Sequence, residues 1–313
     1  MATAAEWLEG ARFRTLPASS SPVVAGSGLA WFVGSFSWWK ALLCLVVALA
    51  IQIGCNFAND YSDGIRGSDT TDKRVGPLRL VGSGKATPAH VKLAAFAWFF
   101  VACCAGLALA VATGHLWLIA VGAASVLAAW FYTGGQHPYG YAGWGEAMVF
   151  LFFGFIAFFG TAYVQNVWPV QEAVAHSGVA VPGVPPYLLG CACAGATAMG
   201  CLATAILVTN NLRDIAGDAA VGKRTLATRM GDRATRWFDI GLVVAAGVAV
   251  IVAAALSTWW ALAGLVGLAL LVKPSLRVLA NAKGRELIMV LKLTGMSEFA
   301  VAAGLTAGWV IGR

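Results

Sequence analysis

Asn56-Phe57-Ala58-Asn59-Asp60-Tyr61-Ser62-Asp63-Gly64-Ile65-Arg66 follows directly on Leu42 to Cys55, a run that is almost wholly apolar. A helix that continues through this stretch places Asn56, Asn59, Asp60 and Asp63 on one face, because side chains three, four and seven positions apart stack on one side of a helix. Two carboxylates and two amides then converge at the end of an apolar helix. Charged groups at the edge of a membrane core are costly unless they face water, a partner or an ion, so the face suggests a bound hard cation. The alternative is a polar helix end wetted by headgroup water.

The second half of the chain repeats the arrangement. The apolar run Tyr187 to Thr209 ends in Asn210-Asn211-Leu212-Arg213-Asp214-Ile215-Ala216-Gly217-Asp218, followed by Gly222-Lys223-Arg224-Thr225-Leu226. Asn210, Asp214 and Asp218 step by four and form one stripe. Two acidic helix ends in equivalent places suggest facing walls with divalent ions between them.

Around these motifs the composition is that of a membrane protein. Of 313 residues 59% are hydrophobic and only 11% charged, and the mean hydropathy is +0.77. A soluble domain carries about a quarter charged residues. The polar first residues, with Arg12 and Arg14, lack an adjoining cleavage-type site, so no removed signal peptide is expected. The seven cysteines lie in or beside apolar runs without a Cys-x-x-Cys pair, and they read as small packing residues. The 37 glycines fit closely packed membrane helices.

With about 20 apolar residues needed per crossing, the chain divides into about nine spans, near 20–37, 41–58, 91–112, 115–133, 146–167, 186–209, 236–256, 258–273 and 288–311. This is an all-α, polytopic membrane fold. Nine spans place Arg12, Arg14 and the basic loops after spans two, six and eight on one side. The positive-inside rule makes that side cytoplasmic, with the C-terminus outside. The net charge of +7 is then an orientation and lipid-surface signal rather than a nucleic-acid one.

The loop from Gly64 to His90 contains Arg66, Lys73, Arg74, Gly76-Pro77-Leu78-Arg79-Leu80 and Gly82-Ser83-Gly84-Lys85. Glycines let backbone approach a ligand, and Arg and Lys complement an anion. The segment with Lys223 and Arg224 repeats the recipe. Carboxylates beside a basic lid can hold a diphosphate through magnesium, whose charge relieves their mutual repulsion. A solvated positive-inside loop has a similar composition. Between spans four and five lies Tyr132-Thr133-Gly134-Gly135-Gln136-His137-Pro138-Tyr139-Gly140-Tyr141, and Glu146 opens the next span. Tyr132 and Glu146 are candidate pocket residues, with interface anchoring and helix N-terminal charge as their other readings. His137 is a candidate acid–base group. Glu172 and His176, in the stretch from Gln165 to Pro186, show no evident chemistry.

Asn59-Asp60-Tyr61-Ser62-Asp63 with Asp69 behind it, and Asp214-x-x-x-Asp218 leading to Gly222-Lys223-Arg224-Thr225-Leu226, resemble the two aspartate-rich motifs of the UbiA superfamily of membrane prenyltransferases. The resemblance spans nearly the whole chain. Gly76 to Gly84, Tyr132 to Gly135, Gly143-x-Gly145-Glu146, Asn210 to Ile215 and the opening Gly10 to Pro17 are most similar to members that prenylate 1,4-dihydroxy-2-naphthoate, although Phe13 stands where proline is expected. The resemblance implies one domain over 1–313, with halves near 20–145 and 146–275 and a last helix near 288–311. Nine helices would surround a central cavity capped by cytoplasmic loops and open sideways to membrane lipid.

It also implies roles. Asn56, Asp60, Asp63, Asp214 and Asp218 would hold Mg2+, two ions bridging a polyprenyl diphosphate, while Arg79, Lys223 and Arg66 grip its oxygens. Asp60, Asp63, Asp214, Asp218 and Tyr132 are the expected catalytic set, with Asn56, Asn59, Asn210 and Glu146 also facing substrate. The expected reaction is transfer of the polyprenyl group to 1,4-dihydroxy-2-naphthoate with loss of carbon dioxide and diphosphate, giving demethylmenaquinol or, after oxidation, demethylmenaquinone. Within the family the alternative acceptors are haem, chlorophyllide, homogentisate and 4-hydroxybenzoate. A secondary transporter is the alternative from another class, but transporter sites tend to lie near the bilayer midplane and these acids lie at helix ends.

Overall fold

A computed structural model describes residues 2–67, 79–168 and 186–313. Asp69, Lys73, Arg74, Gly76-Pro77-Leu78, Glu172 and His176 lie outside the described residues. Among those described, every regular element is a helix. In chain order they are α1 (Ala4–Ala11), α2 (Leu16–Val33), α3 (Trp38–Ile65), α4 (Pro88–Thr113) and α5 (Leu118–Phe131). There follow α6 (Gly145–Val164), α7 (Pro186–Ala220), α8 (Leu226–Met230), α9 (Asp232–Ala255), α10 (Trp259–Leu279) and α11 (Arg285–Ile311).

Seven of these, α3, α4, α6, α7, α9, α10 and α11, are long and apolar enough to cross a bilayer. Each of the nine expected spans falls on a helix, but two miss that measure. The 14-residue α5 is apolar yet spans only about 21 Å at 1.5 Å per residue. The 18-residue α2 is diluted by Ser19, Ser20 and Ser21, whose hydroxyls donate back to Leu16 and Pro17 carbonyls. The expected seventh and eighth spans separate at Leu256 to Thr258, after which Trp259–Ala263 winds as a 3-10 turn into α10. All seven cysteines are free thiols.

Packing follows small residues, because lipid gives helices little hydrophobic reason to associate and close van der Waals contact must serve instead. On α3, Gly54 takes the Phe99 ring of α4 so closely that a Cβ would lie 2.6 Å from it. On α11, Gly308 lies against the backbone of Trp260 and Ala261 on α10 and leaves no room for a Cβ. The 35-residue α7 is the most buried helix, with α6, α9 and α11 against it. Its partner α9 is pinned by Thr209 Oγ1 donating to Asp239 at 3.0 Å, and α9 to the end of α10 by Arg236 donating to Val278 O at 2.7 Å. Within α6, Phe150–Ile156 widens to a π-helix where Gly154 meets the backbone of Ala196 and Gly200.

These helices enclose a cavity of about 330 Å3. Its walls come from α2, α3, α4, α5 and α6 and are mainly apolar. Asn59 and Tyr132 are among its lining residues, and Asp63 lies one turn of α3 beyond Asn59.

Candidate active site

The C-terminal turns of α3 and α7 supply the acids, and two loops carry cations to them. After α7 the chain turns at Gly222, φ +75, with Lys223 N donating to Asp218 O at 2.9 Å. The next residues dock on the 3-10 turn Tyr139–Ala142: Arg224 N donates to Tyr141 O at 2.9 Å and Arg229 to Ala142 O at 2.7 Å. Thr225 then caps α8. This docking places the Lys223 ammonium 4.3 Å from the centre of the Tyr141 ring, within cation–π range.

From there Lys223 reaches both motifs. Its Nζ lies 3.1 Å from Asp63 and 3.7 Å from Asp218. Asp63 also receives Arg79 at 3.4 Å and a short hydrogen bond from the Tyr141 hydroxyl. Burial and the Asp63 charge push the Tyr141 pKa well up, so the hydroxyl stays a donor. Asp60 is fully buried, and its two oxygens accept from the backbone N–H groups of Leu80 at 2.8 Å and Val81 at 3.0 Å. It therefore clamps the start of the second half of the basic loop onto α3. Leu80, itself fully buried, wedges against Gly10 and closes the clamp.

The remaining expected residues are placed as follows. Asp214 faces its neighbour Arg213, which donates to both carboxylate oxygens at 2.7 and 2.5 Å and to Asn210 Oδ1 at 2.9 Å. Asn56 donates to Ala11 O at 2.9 Å and Thr15 Oγ1 at 3.0 Å, joining α3 to the N-terminal segment. Asn59 accepts from Thr133 at 2.7 Å. Arg66 donates to Thr133 O at 2.6 Å and Gly135 O at 2.5 Å, and so fastens the loop after α5. Glu146, buried, accepts from Asn211 at 2.9 Å. Tyr132 faces the cavity and packs on Tyr139 with ring centres 5.6 Å apart. Gly140 lies so close that a Cβ would come 2.6 Å from Tyr132 O. His137 is exposed.

Arg12, which the sequence reading took for orientation and as part of the opening Gly10 to Pro17 stretch, lies within reach of the charges of Asp60 and Asp63. It ends α1 in the left-handed region, φ 53 and ψ 58, a conformation uncommon for a residue with a side chain. Its Nε and Nη2 are buried without a hydrogen-bond partner. Burial lowers the guanidinium pKa, opposed by the charges of Asp60 and Asp63. Tyr141 is the other addition, and no spacing in the sequence singled it out.

Among the described residues no three His, Cys, Asp or Glu side chains are gathered closely enough to ligate one metal ion. The donor set still suits magnesium, which retains waters and takes one or two carboxylates plus substrate phosphates. Asp63 and Asp218, from the two motifs, already approach one cationic atom, Lys223 Nζ.

Helices long and apolar enough to cross a membrane thus bring residues of two acid motifs together with Lys223 and Arg79, one turn of α3 beyond the cavity-lining Asn59, an arrangement that can hold an anion. The chain belongs to the UbiA prenyltransferase family, whose model matches residues 19–294. It is 47% identical over 312 residues, covering 98% of this chain and 99% of the relative, to a 1,4-dihydroxy-2-naphthoate octaprenyltransferase of Mycobacterium tuberculosis (strain ATCC 25618 / H37Rv). Its fold matches the apo structure of a UbiA homologue from Aeropyrum pernix K1, with TM-score 0.68 and 12% identity over 94% of this chain and 98% of that one. A UbiA homologue from Archaeoglobus fulgidus bound to DMAPP and Mg2+ matches with TM-score 0.57 and 13% identity over 95% and 99% of the two chains.

Proposed function

We propose that this protein transfers a polyprenyl group from a polyprenyl diphosphate to 1,4-dihydroxy-2-naphthoate, releasing diphosphate and carbon dioxide and yielding demethylmenaquinol, a step of menaquinone biosynthesis. The observation that carries the reading is Lys223 bridging Asp63 and Asp218, one turn of α3 beyond the cavity-lining Asn59. The near full-length likeness to a named octaprenyltransferase supports the acceptor.

In this reading Asp60, Asp63, Asp214 and Asp218 are the carboxylates that would hold Mg2+, two ions in all. The metal supplies Lewis-acid stabilisation of the negative charge on the leaving diphosphate. Lys223, Arg79 and Arg12 take its remaining oxygens, so charge that accumulates as the allylic C–O bond breaks meets cations already in place. The cavity wall excludes water that would capture the allylic cation, and it holds the naphthol ring beside it. The attacked carbon carries the carboxylate, so carbon dioxide leaves as aromaticity returns. Tyr132, which lines the cavity, orients the acceptor. The acid end faces the cytoplasm with the N-terminus, and the C-terminus lies outside the cell membrane, as the clustering of Arg and Lys favours.

The test is prenyl transfer by the purified protein in detergent with octaprenyl diphosphate and 1,4-dihydroxy-2-naphthoate, with magnesium and then with EDTA. Magnesium-dependent prenylated naphthoquinol with release of carbon dioxide is expected. Product only with a different aromatic acceptor would overturn the acceptor and retain the transferase.

A further inference from the structure

A cation of the chain itself stands between the two acid motifs. Lys223 Nζ lies 3.1 Å from Asp63 Oδ1 and 3.7 Å from Asp218 Oδ1, in a contact that leaves only 15% of the lysine and Asp218 side chains exposed. Both oxygens of Asp63 are engaged. Its Oδ1 also accepts from the Tyr141 hydroxyl, and its Oδ2 faces Arg79 at 3.4 Å. A divalent cation that is to join Asp63 to Asp218 therefore meets an ammonium already at both.

Of the partners of Asp63, Lys223 is the one free to leave. Its backbone is anchored, because Lys223 N donates to Asp218 O and Arg224 N to Tyr141 O. Beyond that anchor a flexible four-carbon stem carries a compact point charge. Arg79 instead presents a planar fork that is almost wholly buried. A lysine that releases the acids still carries its charge, and a buried charge is costly unless another group pairs with it. In the prenyl-transfer reading the diphosphate is the anion that can receive it.

We propose that Lys223 is a tethered stand-in for the metal: it holds Asp63 and Asp218 in the free protein, keeps out a divalent cation that arrives alone, and yields the acids when a diphosphate takes its ammonium. The inference rests on the prenyl-transfer reading above and adds a condition on metal entry. Its basis is occupancy, since a site that is open in only a fraction of molecules binds its ligand more weakly by that fraction. With the lysine in place in about nine molecules of ten, a lone metal ion binds about tenfold more weakly than the acids alone would allow. A pair of carboxylates that stood open would gather divalent cations without substrate, and the lysine prevents this.

The experiment measures binding of Mn2+ alone, without any diphosphate, from the electron paramagnetic resonance signal of the free ion titrated with full-length protein in detergent. Lys223→Met and Lys223→Gln are the test variants, so that if one fails to fold the other decides. Each should bind Mn2+ about tenfold or more tightly than wild type, the factor that removing the competing contact returns. Lys223→Arg keeps the charge and should stay within about threefold of wild type. Arg224→Met, which removes an exposed charge next in the chain, should do the same. Equal or weaker Mn2+ binding in the neutral Lys223 variants overturns the proposal and leaves Lys223 a ligand of the diphosphate alone. An equal gain in Arg224→Met overturns it too, by reducing the effect to net charge. Wild-type protein that gains no thermal stability from Mg2+ with inorganic pyrophosphate would overturn the diphosphate reading instead, which is a separate result.

Discussion

Lys223, in the turn after α7, and Asp63, near the end of α3, lie 3.1 Å apart and close the two acid motifs into one site. The contact exists because the segment from Arg224 to Arg229 is hydrogen-bonded to the 3-10 turn before α6, which fixes where the lysine can reach. Removing its charge leaves Asp63 and Asp218, both largely buried, to repel one another and weakens the hold on a diphosphate. Lys223→Met should lower kcat/KM for prenyl transfer by about a hundredfold or more, as loss of a preorganised charge at a leaving group does. Lys223→Arg should recover part of it. Steady-state rates over a range of polyprenyl diphosphate concentrations check this, and a loss below fivefold would remove Lys223 from the diphosphate site.

Asp60 carries a second prediction, separate from any metal. Its carboxylate accepts two backbone N–H groups, and an amide in its place offers one acceptor oxygen and turns an NH2 toward the other donor. Asp60→Asn should therefore release the segment at Leu80 and Val81, at a cost of about 1.5–3 kcal/mol for hydrogen bonds to a charged group. Hydrogen exchange of those two amides should speed up about tenfold or more while α7 keeps its protection. Unchanged exchange would show that burial of Leu80 alone holds the loop.

Much of the fold was legible in the sequence, because a helix in lipid must be apolar for most of its length and each such run reads as a span. The weak cases, α2 and α5, are those where serines or short length blur that rule. The three- and four-residue spacing singled out the acids, of which the structure joins Asp63 and Asp218 through Lys223. Their partners were not. Arg213 looked like one more basic loop residue and in the structure faces Asp214, while Tyr141 and Arg12 arrive from distant segments. Only the docking of the loop after α7 and the left-handed turn at Arg12 bring them in, and neither leaves a periodic mark.

Tyr141 gives a pH prediction with a definite sign. Its folded pKa is raised by burial and by Asp63 above the ordinary tyrosine value of about 10. A group whose folded pKa is raised contributes stability that is fully present below its unfolded pKa and is lost as pH rises beyond it. Wild-type protein should thus lose thermal stability above about pH 10 more steeply than Tyr141→Phe, and the two should run parallel between pH 7 and 9. Melting curves in detergent across that range test it. Parallel curves throughout would mean that Tyr141 titrates as it does in the unfolded chain.

Arg12 sits at a strained turn with two buried guanidinium nitrogens unpartnered beside Asp60 and Asp63. A buried donor without an acceptor destabilises the free protein and favours any anion that supplies one. Arg12→Met removes that anion-binding group and also the unsatisfied donors, so its two effects point in opposite directions. The melting temperature of the free protein should stay the same or rise. The KM for polyprenyl diphosphate should increase about tenfold or more, since a charge-assisted hydrogen bond in a buried site is worth about 1.5–3 kcal/mol. Arg12→Lys should restore part of the affinity through its charge without the planar fork. Inorganic pyrophosphate with magnesium should raise the melting temperature of wild-type protein and do so less in Arg12→Met. A variant that melts lower but binds pyrophosphate as wild type does would make Arg12 a structural residue that fixes the turn and would leave the diphosphate to Lys223 and Arg79.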